Sequence, residues 1–131
     1  MDLSSVRLFA GMSRGDLAKV ERQFSEVRHA AGAELASPGR QGVGFMVILE
    51  GQAEVGTPDG GGRTLGPGDH FGEMALLDQG GRSATVTATT DVVIAAIPAW
   101  SFKPFLLEHP EVAYRLLQTL SRRLRDAEAR P

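Results

Sequence analysis

Two kinds of hydrophobic spacing alternate along the chain and divide it into three stretches. Over residues 14–24, Leu17, Val20 and Phe24 recur at intervals of three and four, which lines one face of a short helix. Ser13 precedes it as an N-cap, Asp16 stands three residues on as capping-box partner, and Met12 can staple against Leu17. The middle of the chain changes to short apolar or alternating runs at 45–50, 52–56, 83–89 and 92–97. Turn clusters such as Thr57-Pro58-Asp59-Gly60-Gly61-Gly62 and Gly66-Pro67-Gly68-Asp69 separate them. In 83–89, Ala84, Val86 and Ala88 alternate with Ser83, Thr85, Thr87 and Thr89, giving one apolar and one hydroxylated face. Helical spacing returns after Ile97-Pro98. Residues 99–108 read as a helix leading to His109-Pro110, and 111–129 as a longer one opened by Pro110, with Ala113, Leu117, Leu120 and Leu124 at heptad-like intervals.

This order predicts a mainly β fold with flanking helices, an antiparallel β-roll or jelly roll. With 131 residues, 42% of them hydrophobic, the chain supports one domain with a true core and is too short for two ordinary ones. The expected division of 1–131 is an N-terminal helical part (1–30), the β-roll (31–98) and C-terminal helices (99–131). Two heptads fall short of a coiled coil, so the leucine stripe is expected to pack on the roll and not to form a dimer seam.

Charge and composition narrow the function classes. A net charge of −2 gives no bulk attraction to nucleic acid or an anionic membrane, although Arg115, Arg122, Arg123, Arg125 and Arg130 gather in the last segment. The absence of cysteine excludes disulfides, thiolate metal sites and cysteine nucleophiles, and fits a reducing, cytoplasmic setting. No leader pattern and no membrane-length apolar window is present. His29, His70 and His109 are scattered without a His-x-His pair, so no metal is expected. Gly60-Gly61-Gly62-Arg63-Thr64 lacks the lysine and spacing of a phosphate loop and reads as a hairpin turn, and no serine sits in a nucleophile elbow. No enzyme activity is expected.

Residues 71–88, Phe-Gly-Glu-Met-Ala-Leu-Leu-Asp-Gln-Gly-Gly-Arg-Ser-Ala-Thr-Val-Thr-Ala, hold the chemistry. Gly72 permits close backbone approach, Glu73 opens a short helix whose amides point outward, and Arg82 adds a fixed positive fork at the start of a strand. Such a pocket suits a phosphate with a hydroxyl beside it.

This run closely resembles the phosphate-binding cassette of the cyclic nucleotide-binding domain family. The likeness extends upstream through Leu8-Phe9-Ala10-Gly11-Met12 and through Gly39 and the run Phe45-Met46-Val47-Ile48-Leu49-Glu50-Gly51. The resemblance implies a ligand site within 71–84 comprising Phe71, Gly72, Glu73, Met74, Ala75, Arg82, Ser83 and Ala84. Glu73 would accept the ribose 2′-hydroxyl and Arg82 would pair with the cyclic phosphate. The Ser83 hydroxyl and the amides of Ala75 and Ala84 would complete the phosphate shell.

The resemblance further implies a cyclic AMP sensor, with cyclic GMP the alternative, because a hydroxyl at Ser83 serves either the phosphate or the guanine 2-amino group. Arg122 and Arg123 are candidates to cover the base, or else form a solvated helix face. Trp100 and Tyr114 are expected to be packing residues. Ligand capture is expected to draw the cassette inward, repack Met74, Leu76 and Leu77 and move the last helix. A protein partner or a covalently linked effector domain would receive that movement. A gating domain of an ion channel or transporter and a ligand-free interaction module are the competing readings.

Overall fold

The computed structural model describes residues 1–37, 44–56, 62–78 and 84–129. A 3-10 turn (Arg7–Phe9) precedes helix α1 (Arg14–Gln23), followed by strands β1 (Ser25–His29), β2 (Glu34–Ala36), β3 (Phe45–Glu50), β4 (Ala53–Gly56), β5 (Gly62–Leu65) and β6 (His70–Phe71). Helix α2 (Glu73–Asp78), strands β7 (Thr85–Ala88) and β8 (Val92–Ile97), and helices α3 (Ala99–Glu108) and α4 (Pro110–Glu128) complete the order. The strands form two four-stranded antiparallel sheets, ordered β1-β8-β3-β6 and β2-β7-β4-β5.

The period-two geometry of a strand explains how one sheet serves two cores. On β3, Phe45 and Val47 face a helical core with Val20, Phe24, Phe102, Phe105, Val112 and Leu116, whereas Met46 and Ile48 face the core between the sheets. On β8, Ala95 and Ile97 take the helical side, and Val92 and Ile94 the sheet side. Both strands are covered on both faces, which is why their sequences are continuous apolar runs. β7 is covered on one side, with Val86 and Ala88 buried and Thr85 and Thr87 half-buried.

The expected helix at 14–24 is α1, and the Ser13 hydroxyl accepts a hydrogen bond from the Asp16 amide at 3.1 Å. The runs at 45–50 and 92–97 coincide with β3 and β8, and those at 52–56 and 83–89 contain β4 and β7. β1 pairs with β8 from Ser25 onward, so the sheet begins inside the stretch expected to be helical. Gly62-Arg63-Thr64, read as turn, belongs to β5. The turn residues 57–61 lie outside the described residues.

The last helix packs differently from the heptad expectation. Val112 and Leu116 are buried and Leu120 packs beside them, at the four-residue spacing of a straight helix, while Leu117 and Leu124 are exposed. Trp100 and Tyr114, expected to pack, are 77% and 64% exposed. Trp100 stands in the first turn of α3 and Tyr114 on the outer side of α4, away from the Phe24–Phe45 and Phe45–Phe102 contacts that join the helices to the roll.

Candidate functional site

β6, the edge strand beside β3, leads into the site, and Gly72 turns the chain out of it. Its φ of 100° lies in the region that glycine alone adopts without strain, so the next residue starts α2 directly. That residue is Glu73, which the turn places inside the protein with 2% exposure.

A buried carboxylate needs partners, and Glu73 has them on two sides. The Arg123 guanidinium donates to its Oε1 at 2.8 Å, reaching down from α4. His70 Nδ1 lies 3.1 Å from the same oxygen but off the line of a directed hydrogen bond, so that contact is electrostatic at most. The His70 ring rests in turn on Phe45, 5.4 Å between centroids, within the helical core. Burial alone would push the Glu73 carboxyl up. His70, the residue's own amide and Arg123 outweigh it and hold the group below its usual range.

The sign of this shift sets a pH dependence. The unfolded chain binds the Glu73 proton more readily than the folded one, so the ionised carboxylate stabilises the fold above the unfolded value, about 4.3, and that contribution fades as pH falls through the lower folded value. Glu73→Gln, isosteric with the protonated acid, should cost about 1 to 3 kcal/mol at neutral pH. In urea titrations the gap to the parent should close below about pH 4; a gap independent of pH would refute the role of the charge.

Around Glu73 is a cavity of about 120 Å3. Five of the residues expected from sequence, Phe71, Gly72, Glu73, Met74 and Ala75, line it together with Ala84 across from them on the approach to β7. Arg82 and Ser83 lie outside the described residues. Of the two candidate cover arginines, Arg123 enters this cavity and Arg122 does not; Arg122 lines an adjoining cleft with Arg7 and Arg115, which Arg123 also borders. Met74 and Leu77 are 62% and 47% exposed, while Leu76 packs on the helical core.

Two residues at this site carry no motif. His70 was scattered in sequence and stands one strand step before Phe71. Arg63 is opposite Val55 in the β4–β5 pairing, and both line the cavity. Partial burial, then the like charge of Arg123, lower the Arg63 pKa against the pull of Glu73 and Asp69, and the group stays charged at any working pH. The charged lining among the described residues is thus two arginines against one carboxylate, a surplus that favours an anion. Among those residues no group of three or more histidine and acidic side chains is placed to hold a metal ion, and no helix is long and apolar enough to cross a membrane.

Comparison with known proteins agrees with this geometry. The cyclic nucleotide-binding domain matches residues 26–109. The chain is 29% identical to the CRP-like cAMP-activated global transcriptional regulator of Mycobacterium tuberculosis, over 94% of this chain and 57% of that protein. It is 34% identical to a cyclic nucleotide-gated potassium channel of Rhizobium etli, over 89% of this chain and 33% of the channel. Among solved structures, the Thermus thermophilus catabolite activator protein superposes with a TM-score of 0.80 at 31% identity, over 92% of this chain and 59% of that one. In each case less than two thirds of the relative is spanned.

Proposed function

Because the chain belongs to the cyclic nucleotide-binding domain family, we propose that it takes up a cyclic nucleotide, cyclic AMP in preference to cyclic GMP, in the cavity around Glu73. Glu73 accepts the ribose 2′-hydroxyl. Arg82, Ser83 and the amides of Ala75 and Ala84 receive the cyclic phosphate, in the manner the cassette resemblance implies. The observation that carries this reading is a carboxylate kept ionised at 2% exposure on the first residue of the cassette helix, which accepts from an arginine of the last helix. A carboxylate kept ionised beside a cavity can accept a hydrogen bond from a neutral hydroxyl, at about 1.5 to 3 kcal/mol for a charged acceptor.

The cavity also bears on mechanism. Small-molecule sites enclose about 300 to 1,000 Å3, and the space around Glu73 is about 120 Å3, which supports a reading in which part of the wall moves as the ligand enters. α4 contributes Arg123 to that wall, in contact with Glu73. The ribose hydroxyl then shares or displaces the Arg123 bond, α2 draws inward with Met74 and Leu77 available for burial, and α4 changes position. The name of the Mycobacterium tuberculosis relative supports cyclic AMP as ligand and a transcriptional output. The Rhizobium etli match supports a second reading, in which the same movement is passed to a linked channel.

Calorimetric titration with cyclic AMP, cyclic GMP and 2′-deoxy cyclic AMP tests the reading. Cyclic AMP should bind at micromolar concentration or below, and the 2′-deoxy analogue about ten- to a hundredfold more weakly. Glu73→Gln should narrow the gap between them. Absence of heat with every nucleotide would overturn the function, and an unchanged amide spectrum over residues 110–128 in saturated protein would overturn the helix movement.

A further inference from the structure

Beside the apolar stripe of α4 runs a second one that is polar. Arg115, Gln118, Thr119, Arg122, Arg123 and Asp126 follow at intervals of three and four, so they share one side of the helix. A helix lying on a domain ordinarily turns an apolar face to it. This face instead overhangs a cleft of about 570 Å3, whose far wall is the Arg7–Leu8 turn, the Gly68–Asp69 turn and His70.

The charges in this cleft are not used by the fold. Arg7, Arg115 and Arg122 have no carboxylate partner among the described residues, and Arg123 is committed to Glu73. Of the two acids, Asp69 already accepts from the Gly66 amide at 2.8 Å, and Asp126 is exposed. Arg115 lies over Gly11, whose φ is 82° and whose missing side chain leaves room for the guanidinium: its Nη2 is 3.0 Å from where a Cβ would stand. His70 is 5% exposed, and its Nδ1 is turned to Glu73, 3.1 Å from Oε1, so the ring forms the wall between the cleft and the Glu73 cavity.

We infer that this cleft is a second anion site, adjoining the Glu73 cavity at Arg123 but built on arginines that do not line that cavity, for a small compound with two or more phosphate charges, between pyrophosphate and a nucleoside triphosphate in size. Three unpaired guanidinium forks from two elements match several phosphate oxygens at once, which a single negative charge cannot satisfy. The volume lies within the range of small-molecule sites.

The test uses pyrophosphate, with orthophosphate in parallel, titrated into the whole chain at low ionic strength, where such contacts are least screened. Pyrophosphate should bind more tightly than orthophosphate and should shift amides of residues 66–70 and 115–126. Arg115→Ala combined with Arg122→Ala should weaken it by about tenfold or more. Arg82→Ala should leave it unchanged, which separates this site from the nucleotide pocket and lets either stand if the other fails. Should the double variant lose its fold by circular dichroism, Arg122→Ala alone, at an exposed position, should still weaken binding measurably. Absence of heat, equal affinity for the two anions, loss of binding with Arg82→Ala, or retention in a folded Arg122→Ala variant would each overturn the assignment.

Discussion

Arg82→Ala should lower the affinity for cyclic nucleotide by roughly 30- to several-thousand-fold, corresponding to about 2 to 5 kcal/mol. The size of the effect follows from what the substitution leaves behind. A cyclic phosphate carries one full charge, and removing it from water without a partner costs several kcal/mol. Arg63 keeps the cavity cationic, but it stands on β5, an edge strand of the second sheet, opposite Val55. Arg82→Lys should fall between parent and alanine, because an ammonium restores the charge without the two-pronged geometry. Calorimetry under the conditions used for the parent decides the matter, and a loss smaller than threefold would remove Arg82 from the phosphate site.

Gly44→Ala should unfold a large part of the population, with an expected loss of about 3 to 5 kcal/mol in urea denaturation. A Cβ at Gly44 would overlap the Ile97 carbonyl oxygen and lie 2.9 Å from the Pro98 Cα. Those are backbone atoms, so no side-chain rotation relieves the overlap. Phe45 pairs with Ile97 in the β3–β8 ladder, and both residues sit in the helical core, so opening the ladder there disturbs pairing and packing together. Gly66→Ala is the matched control: nothing stands within 4 Å of its added Cβ, and the change should stay within about 1 kcal/mol of the parent. Equal effects at the two positions would show that the Gly44 contact is not what limits stability.

The strands legible in the sequence and those that were not differ in position within the sheets. β3, β4, β7 and β8 are the central strands, and the four left unread, β1, β2, β5 and β6, are the edges. A central strand has neighbours on both sides and at least one face in a core, so its residues carry a run or an alternation. β1 has exposed Glu26, Val27 and Arg28, while β2 and β6 have three and two residues, too few to show any period. The cassette was legible because its chemistry is contiguous. His70 and Arg63 reach the same cavity through pairing across strands, which no linear spacing reveals. Arg122 and Arg123 could not be told apart in sequence, yet successive residues on a helix point about 100° from each other, and here Arg123 reaches into the Glu73 cavity as well as the neighbouring cleft while Arg122 lines the cleft alone. The outer Leu117 and Leu124 misled for a related reason: a 3.5-residue repeat and a 3.6-residue repeat diverge little over two turns.

The uneven anchoring of α4 makes its own amides a gauge. Val112 and Leu116 fasten the first turns into the core, and past Leu120 the helix is exposed except at half-buried Arg123. Short helical segments without packing are marginal in water, so the last turns should open far more often than the first. Protection against hydrogen exchange should therefore step down along the helix, and in the stretch beyond Arg123 it measures how firmly one guanidinium holds one carboxylate. Anything that competes for Glu73 becomes visible there as faster exchange, without a label and without knowledge of what the domain controls.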